Sequence, residues 1–171
     1  RQTEYMAKCG GLITQADLAE CAPIDRHAIH GSYRGYEIIG PPPPASSGLH
    51  IAQMLKILEG FDLAEMGFGS VEATHLLIEA LKIAFADRVA STADPAFVDV
   101  PVERLLDPAY AAERRAQIRL DTTQDWGPGV HVHESDHTTH MTAADADGWV
   151  VAATQTINNL FGARFIIPGT G

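Results

Sequence analysis

Thr138 to Thr156, TTHMTAADADGWVVAATQT, is the stretch from which the rest of the chain is best read. Thr138–Asp145 and Trp149–Thr156 read as two strands, and Ala146-Asp147-Gly148 between them fits a three-residue hairpin loop with Gly in the left-handed position. In that register Asp145 faces Trp149 and Thr138 faces Thr156. A two-residue loop would slip the pairing by one and set Thr156 against Thr139. In either register two threonine hydroxyls meet at the open end of the hairpin. Cross-strand threonine pairs are also ordinary strand decoration, so the pair alone assigns no chemistry.

Immediately upstream, residues 121–137 (DTTQDWGPGVHVHESDH) are rich in Gly, Pro, Asp, Gln and His and hold no period, so they read as a flexible linker. His131, His133, His137 and His140 carry the ligand type that zinc uses. No Cys or carboxylate completes a standard pattern, and solvated loop histidines are the preferred reading, so no metal is expected.

Further upstream, Thr14 with Asp17 reads as a capping-box start of a helix from Gln15 to Cys21, stopped by Pro23. Tyr33 to Ile39 alternates and reads as a strand. Pro41 to Pro44 forbids regular structure, and Ala45 to Gly48 follows as a tight loop. The proline run sits between a strand and a helix, which favours a rigid turn over a polyproline ligand. Leu49 to Leu58 is periodic and ends at Gly60. Ser70 caps the strongest helix, Val71 to Ala90, with apolar steps at Val71, Thr74, Ile78, Leu81, Phe85 and Val89. Asp94-Pro95 marks a turn, and Pro101 and Pro108 punctuate two short helices, the second from Ala109 to Ile118.

The chain has 171 residues, enough for one domain with a real core. A net charge of -10, from 12 basic and 22 acidic residues, argues against a nucleic-acid surface and against an anionic membrane as partner. No run approaches a membrane span. Cys9 and Cys21 form no disulfide framework or metal spacing and are expected as small apolar filler. The first residues, RQTEYMAK, are helical in character, and the last, Pro168-Gly169-Thr170-Gly171, follow a strand-like run from Arg164 to Ile167. The expectation is a piece of a longer protein.

Asp136-His137-Thr138-Thr139-His140-Met141-Thr142 resembles the cleavage-and-nucleophile motif of the γ-glutamyltranspeptidase family, which belongs to the N-terminal-nucleophile hydrolases. Thr154-Gln155-Thr156-Ile157-Asn158, with Phe161-Gly162, is similar to the family's second signature. Pro42 to Gly48, His75 to Glu79, Ala86-Asp87-Arg88 and Asp94-Pro95 to Pro101 also match its large-subunit pattern. The ordered set covers nearly the whole chain. Trp149 departs from it, standing where Asn is usual, and Thr142 replaces the commoner Ser.

The resemblance implies an α+β fold, the αββα four-layer sandwich, of which this chain would be a part. It implies that residues 1–137 are the end of a large subunit and 138–171 the start of a small catalytic one, parted by self-cleavage between His137 and Thr138. Thr138 would be the nucleophile, Thr156 its hydrogen-bonding partner, and Asn158 a contact for the α-amino and carboxylate end of the substrate. No cofactor is implied. The implied activity is γ-glutamyl transfer and hydrolysis on glutathione and related small molecules, in a periplasmic or extracellular setting. The alternatives are a cephalosporin or glutaryl acylase of the same superfamily and an inactive chain. The family's carboxylate-binding Arg and paired-Gly oxyanion hole match no residue here, so the chain alone is expected to be inactive.

Overall fold

The computed structural model describes residues 1–127, 138–156, 162 and 164–170, with Thr138 described by its backbone. Its elements run α1 (Gln2–Lys8), α2 (Gln15–Glu20), β1 (Ile29–Tyr33), β2 (Tyr36–Gly40), α3 (Ser47–Leu58), α4 (Leu63–Met66), α5 (Val71–Ser91), α6 (Val102–Leu106), α7 (Pro108–Gln117), β3 (Thr138–Ala144) and β4 (Val150–Thr156). The chain is therefore mixed helix and sheet, with two two-stranded antiparallel sheets among the described residues. It divides into two compact units, Asp25–Val130 and Arg1–Ile24 with His131–Gly171.

In the first unit, β1 and β2 form a hairpin in which Tyr33 pairs with Tyr36. The single strand expected over Tyr33 to Ile39 is thus corrected to a turn and its second arm. Arg34 and Gly35 both take positive φ, 49° and 85°, the geometry of a tight hairpin turn. A non-glycine residue in that region needs support, and Arg34 has it from distant residues. Its N–H donates to the Glu59 carboxylate at 2.6 Å, and its guanidinium donates to the Phe61 carbonyl at 2.9 Å.

Helix α3 begins at Ser47, two residues earlier than expected, because Gly48 lets the helix start lie against the proline turn. A Cβ there would stand 2.7 Å from the Gly40 carbonyl carbon and would also strike the Pro41 carbonyl oxygen. Ser70 caps α5 as expected, its hydroxyl accepting from the Ala73 N–H at 3.1 Å.

The core gathers Ile57, Leu58, Leu76, Ala80, Ile83 and Ala111, with Phe61 and Trp126 among the side chains packed against it. Each fully buried Leu or Ile contributes roughly 1.5–3 kcal/mol. The buried residues of α5 are Ala73, Leu76, Glu79, Ala80, Ile83 and Ala84. This is a different face from the stripe that the periodicity picked out: Val71, Ile78, Leu81, Phe85 and Val89 are 80%, 47%, 43%, 37% and 41% exposed. Alanines on the buried face offer neighbouring elements a close approach, and α5 is apolar on two sides.

A polar network ties α3, α5 and α7 together. Asp87 accepts from Gln53 at 2.5 Å, from the Tyr110 hydroxyl at 2.8 Å and from Arg114 at 2.9 Å. Burial and the Asp87 hydrogen bond push the Tyr110 pKa up to about 12.

Buried Glu79 anchors the segment that leads toward residue 138. Its carboxylate accepts from Lys82 and Thr123, both at 2.8 Å, from the Trp126 indole N–H at 2.6 Å and from the Gln124 N–H at 3.4 Å. Lys82 also donates to the Gln124 carbonyl. Burial alone would raise the pKa of Glu79; these donors outweigh it and hold the value at about 2.

In the second unit, the Thr14–Asp17 capping box is formed, with the Asp17 N–H on the Thr14 hydroxyl at 3.2 Å and the Thr14 N–H on the Asp17 carboxylate at 2.7 Å. Cys9 and Cys21 are free thiols and exposed, which corrects the reading of both as core filler. Arg164 to Ile167 is irregular and not a strand, with φ at Arg164 of 57°. The Phe165 ring stands 5.7 Å from that of Tyr5.

Candidate active site

The turn between β3 and β4 sets the site's geometry. The Asp145 N–H donates to the Trp149 carbonyl at 3.0 Å, and the Asp145 carboxylate accepts from the N–H groups of Asp147 and Trp149, each at 3.0 Å. Gly148 takes φ 88°, the left-handed value that such a loop requires. The three-residue loop is thus the one formed. The ladder runs from Ala144 opposite Val150 to Thr138 opposite Thr156.

Hydrogen-bonded and non-hydrogen-bonded pairs alternate along an antiparallel ladder. Counting from the bonded pair Asp145–Trp149, the pair Thr138–Thr156 is of the non-bonded kind, in which facing residues approach most closely. The pair His140–Thr154 is of the same kind and shares its face. The His140 Nδ1 lies 2.8 Å from the Thr154 hydroxyl across the ladder, and its Nε2 lies 3.2 Å from the Thr142 hydroxyl along the strand.

Of the residues expected at the site, the structure brings Thr138 and Thr156 to facing positions. His137 and Asn158 lie outside the described residues, as do His131 and His133 of the metal reading. His140 meets threonine hydroxyls instead, and among the described residues no group of three His, Cys, Asp or Glu side chains could hold a metal. Sequence reasoning counted His140 with the other histidines and missed its place. The signal was the period of two, which sets residues 138, 140 and 142 on one face. Trp149 is 75% exposed and uses its backbone in the turn; nothing in the structure explains the indole.

The γ-glutamyltranspeptidase family model matches residues 3–171. The chain belongs to the γ-glutamyltranspeptidase family. It is 65% identical to an acylase ACY 1 proenzyme of Pseudomonas sp. (strain SE83), over 99% of this chain and 30% of that protein. It is 43% identical to a glutathione hydrolase proenzyme of Escherichia coli (strain K12), over 98% of this chain and 30% of the relative. The chain thus spans about 30% of the length of these curated relatives. Among solved structures it is similar to the γ-glutamyltranspeptidase of Helicobacter pylori, with a TM-score of 0.69 and 39% identity over 78% of this chain and 40% of that one. It is also similar to a cephalosporin acylase from Bacillus halodurans, with a TM-score of 0.66 and 31% identity over 88% of this chain and 26% of that one. Among the described residues, no helix of this family member is long and apolar enough to cross a membrane.

Proposed function

We propose that the full-length protein is a self-cleaving acyl-transfer enzyme with Thr138 as its nucleophile. The observation that carries the reading is the pairing of Thr138 with Thr156, in a chain that belongs to the family and resembles its motifs around both positions. In the precursor, the Thr138 hydroxyl attacks the carbonyl of His137 and the acyl group shifts from nitrogen to oxygen. Water then cleaves that ester, releasing the His137 carboxylate and the Thr138 amine. An α-amine has a pKa of roughly 7.7–8.0, so the new terminus can take the proton of its own hydroxyl near neutral pH.

In turnover, the Thr138 oxygen attacks the substrate's amide carbonyl, the amide nitrogen leaves with a proton from the ammonium, and an ester remains. Water or an acceptor amine then removes the acyl group. Thr156 orients the nucleophile by a hydrogen bond. Residues 1–137 belong to the large subunit, with 121–137 as its pre-cleavage linker, and 138–171 open the small one. The likeness to the H. pylori and B. halodurans proteins supports the αββα sandwich as the full architecture.

The first reading of the substrate is a γ-glutamyl amide such as glutathione. Asn158 can both donate and accept, which suits a zwitterionic amino-acid end. A second reading is favoured by the 65% identity to an acylase proenzyme: glutaryl amides, which keep the same five-carbon acyl chain without the amine. Mass spectrometry of the full-length protein tests the nucleophile. A small chain starting at Thr138, and an uncut, inactive Thr138→Ala precursor, are expected; efficient cutting of that variant overturns the assignment. The kcat/KM for glutathione against that for a glutaryl cephalosporin separates the two substrate readings.

A further inference from the structure

We propose that His140 is a positioning residue for the Thr138 nucleophile, holding the hairpin in the register that keeps Thr138 opposite Thr156. The proposal rests on the Thr138 reading above. His140 is the one histidine of the described hairpin, and its imidazole bridges the two strands at the same-face pair next to Thr138–Thr156. Both ring nitrogens are engaged, Nδ1 by Thr154 and Nε2 by Thr142. A neutral imidazole has one donor and one acceptor, and a threonine hydroxyl can serve as either, so both bonds form in either tautomer. The ring has no nitrogen left for a metal in this arrangement.

Two polar contacts within the hairpin itself act on its register. The Asp145 turn fixes one end, and the His140–Thr154 bond fixes the ladder near the other. A slip of one residue would set His140 against Ala153 or Gln155, break the bond to Thr154 and turn the faces over. It would also carry Thr138 about 3.3 Å along the ladder from Thr156. Displacements smaller than that are enough to cost a reaction about a hundredfold.

The test uses the full-length precursor. His140→Phe keeps a ring and removes both nitrogens; Thr154→Val keeps the shape and removes the hydroxyl; Thr154→Ser keeps the hydroxyl. His140→Phe and Thr154→Val are each expected to slow self-cleavage and lower kcat on the order of tenfold, with KM little changed. Because they break the same bond, the double variant should be no worse than the poorer single one. Thr154→Ser should stay near the parent rate.

Wild-type cleavage and kcat in both Thr154→Val and any folded His140→Phe overturn the proposal. So do losses that multiply in the double variant, or a fall in Tm with kcat unchanged. If His140→Phe does not fold, the contrast between Thr154→Val and Thr154→Ser carries the test. Mass spectrometry of the small chain separates the two levels. A start other than Thr138 overturns the nucleophile reading and this one together. A Thr138 start with unimpaired variants overturns only the role of His140.

Discussion

Thr156 stands directly opposite Thr138 in the β3–β4 ladder, at a pair of the closely approaching kind. In the full-length enzyme, Thr156→Ala is expected to slow both self-cleavage and turnover on the order of tenfold or more, while Thr156→Ser keeps most of each. Gel analysis of processing and steady-state rates check this. Equal losses in the two variants would point to packing of the methyl group.

Glu79 makes stability depend on pH with a definite sign. Its folded pKa is depressed from 4.5 to about 2, so its contribution is fully present above the unfolded value. That contribution, on the order of 3 kcal/mol, is lost as pH falls from about 5 toward 2. Urea midpoints of full-length Glu79→Gln should lie below the parent at pH 7 and approach it near pH 2–3. A constant gap across that range would show that the carboxylate's charge is not what matters.

Gly48→Ala is expected to destabilise the fold by about 1–3 kcal/mol, because its Cβ would strike the backbone of Gly40 and Pro41 rather than a side chain that can move. Thermal unfolding of the full-length protein measures it. An unchanged Tm would mean that the proline turn yields.

The 171-residue chain by itself should release no product from a γ-glutamyl anilide and should self-associate. Met141, Trp149, Val150 and Val151 are 59%, 75%, 64% and 64% exposed, and the second apolar side of α5 is open as well. Size-exclusion chromatography and an anilide assay test both halves. Robust turnover by the isolated chain would sink this expectation.

What could be read from sequence was mostly local. The Thr14 and Ser70 caps, the Gly148 turn and the Thr138–Thr156 register depend on neighbours within a few residues. The misses depend on distant partners. Arg34 turns the chain because Glu59 and Phe61 hold it, and nothing beside Arg34 announces that. The face of α5 was misread because both sides are apolar and only tertiary packing, against Ile57 and Leu58 of α3 and Ala111 of α7, chooses between them. Nothing beside Glu79 in the sequence announces that Thr123 and Trp126 fold back onto it. At the site, the residue types were legible and the register was narrowed to two, Thr156 opposite Thr138 or Thr139, of which the structure forms the first; the imidazole's two partners required a rotamer.

The Asp145–Trp149 turn has a consequence for anyone varying this protein. It works as a ruler: each residue between Asp145 and Trp149 counts toward which side chain meets Thr138. Ala146 and Asp147 can change identity as long as Gly148 keeps its left-handed backbone and the Asp145 carboxylate its two N–H donors. Adding or deleting a single residue there is expected to strain the ladder or slip it by one, and a slip of one would part Thr138, the proposed nucleophile, from Thr156. Tolerance in this loop is therefore to spelling and not to length, and libraries built across it should hold the number of residues fixed.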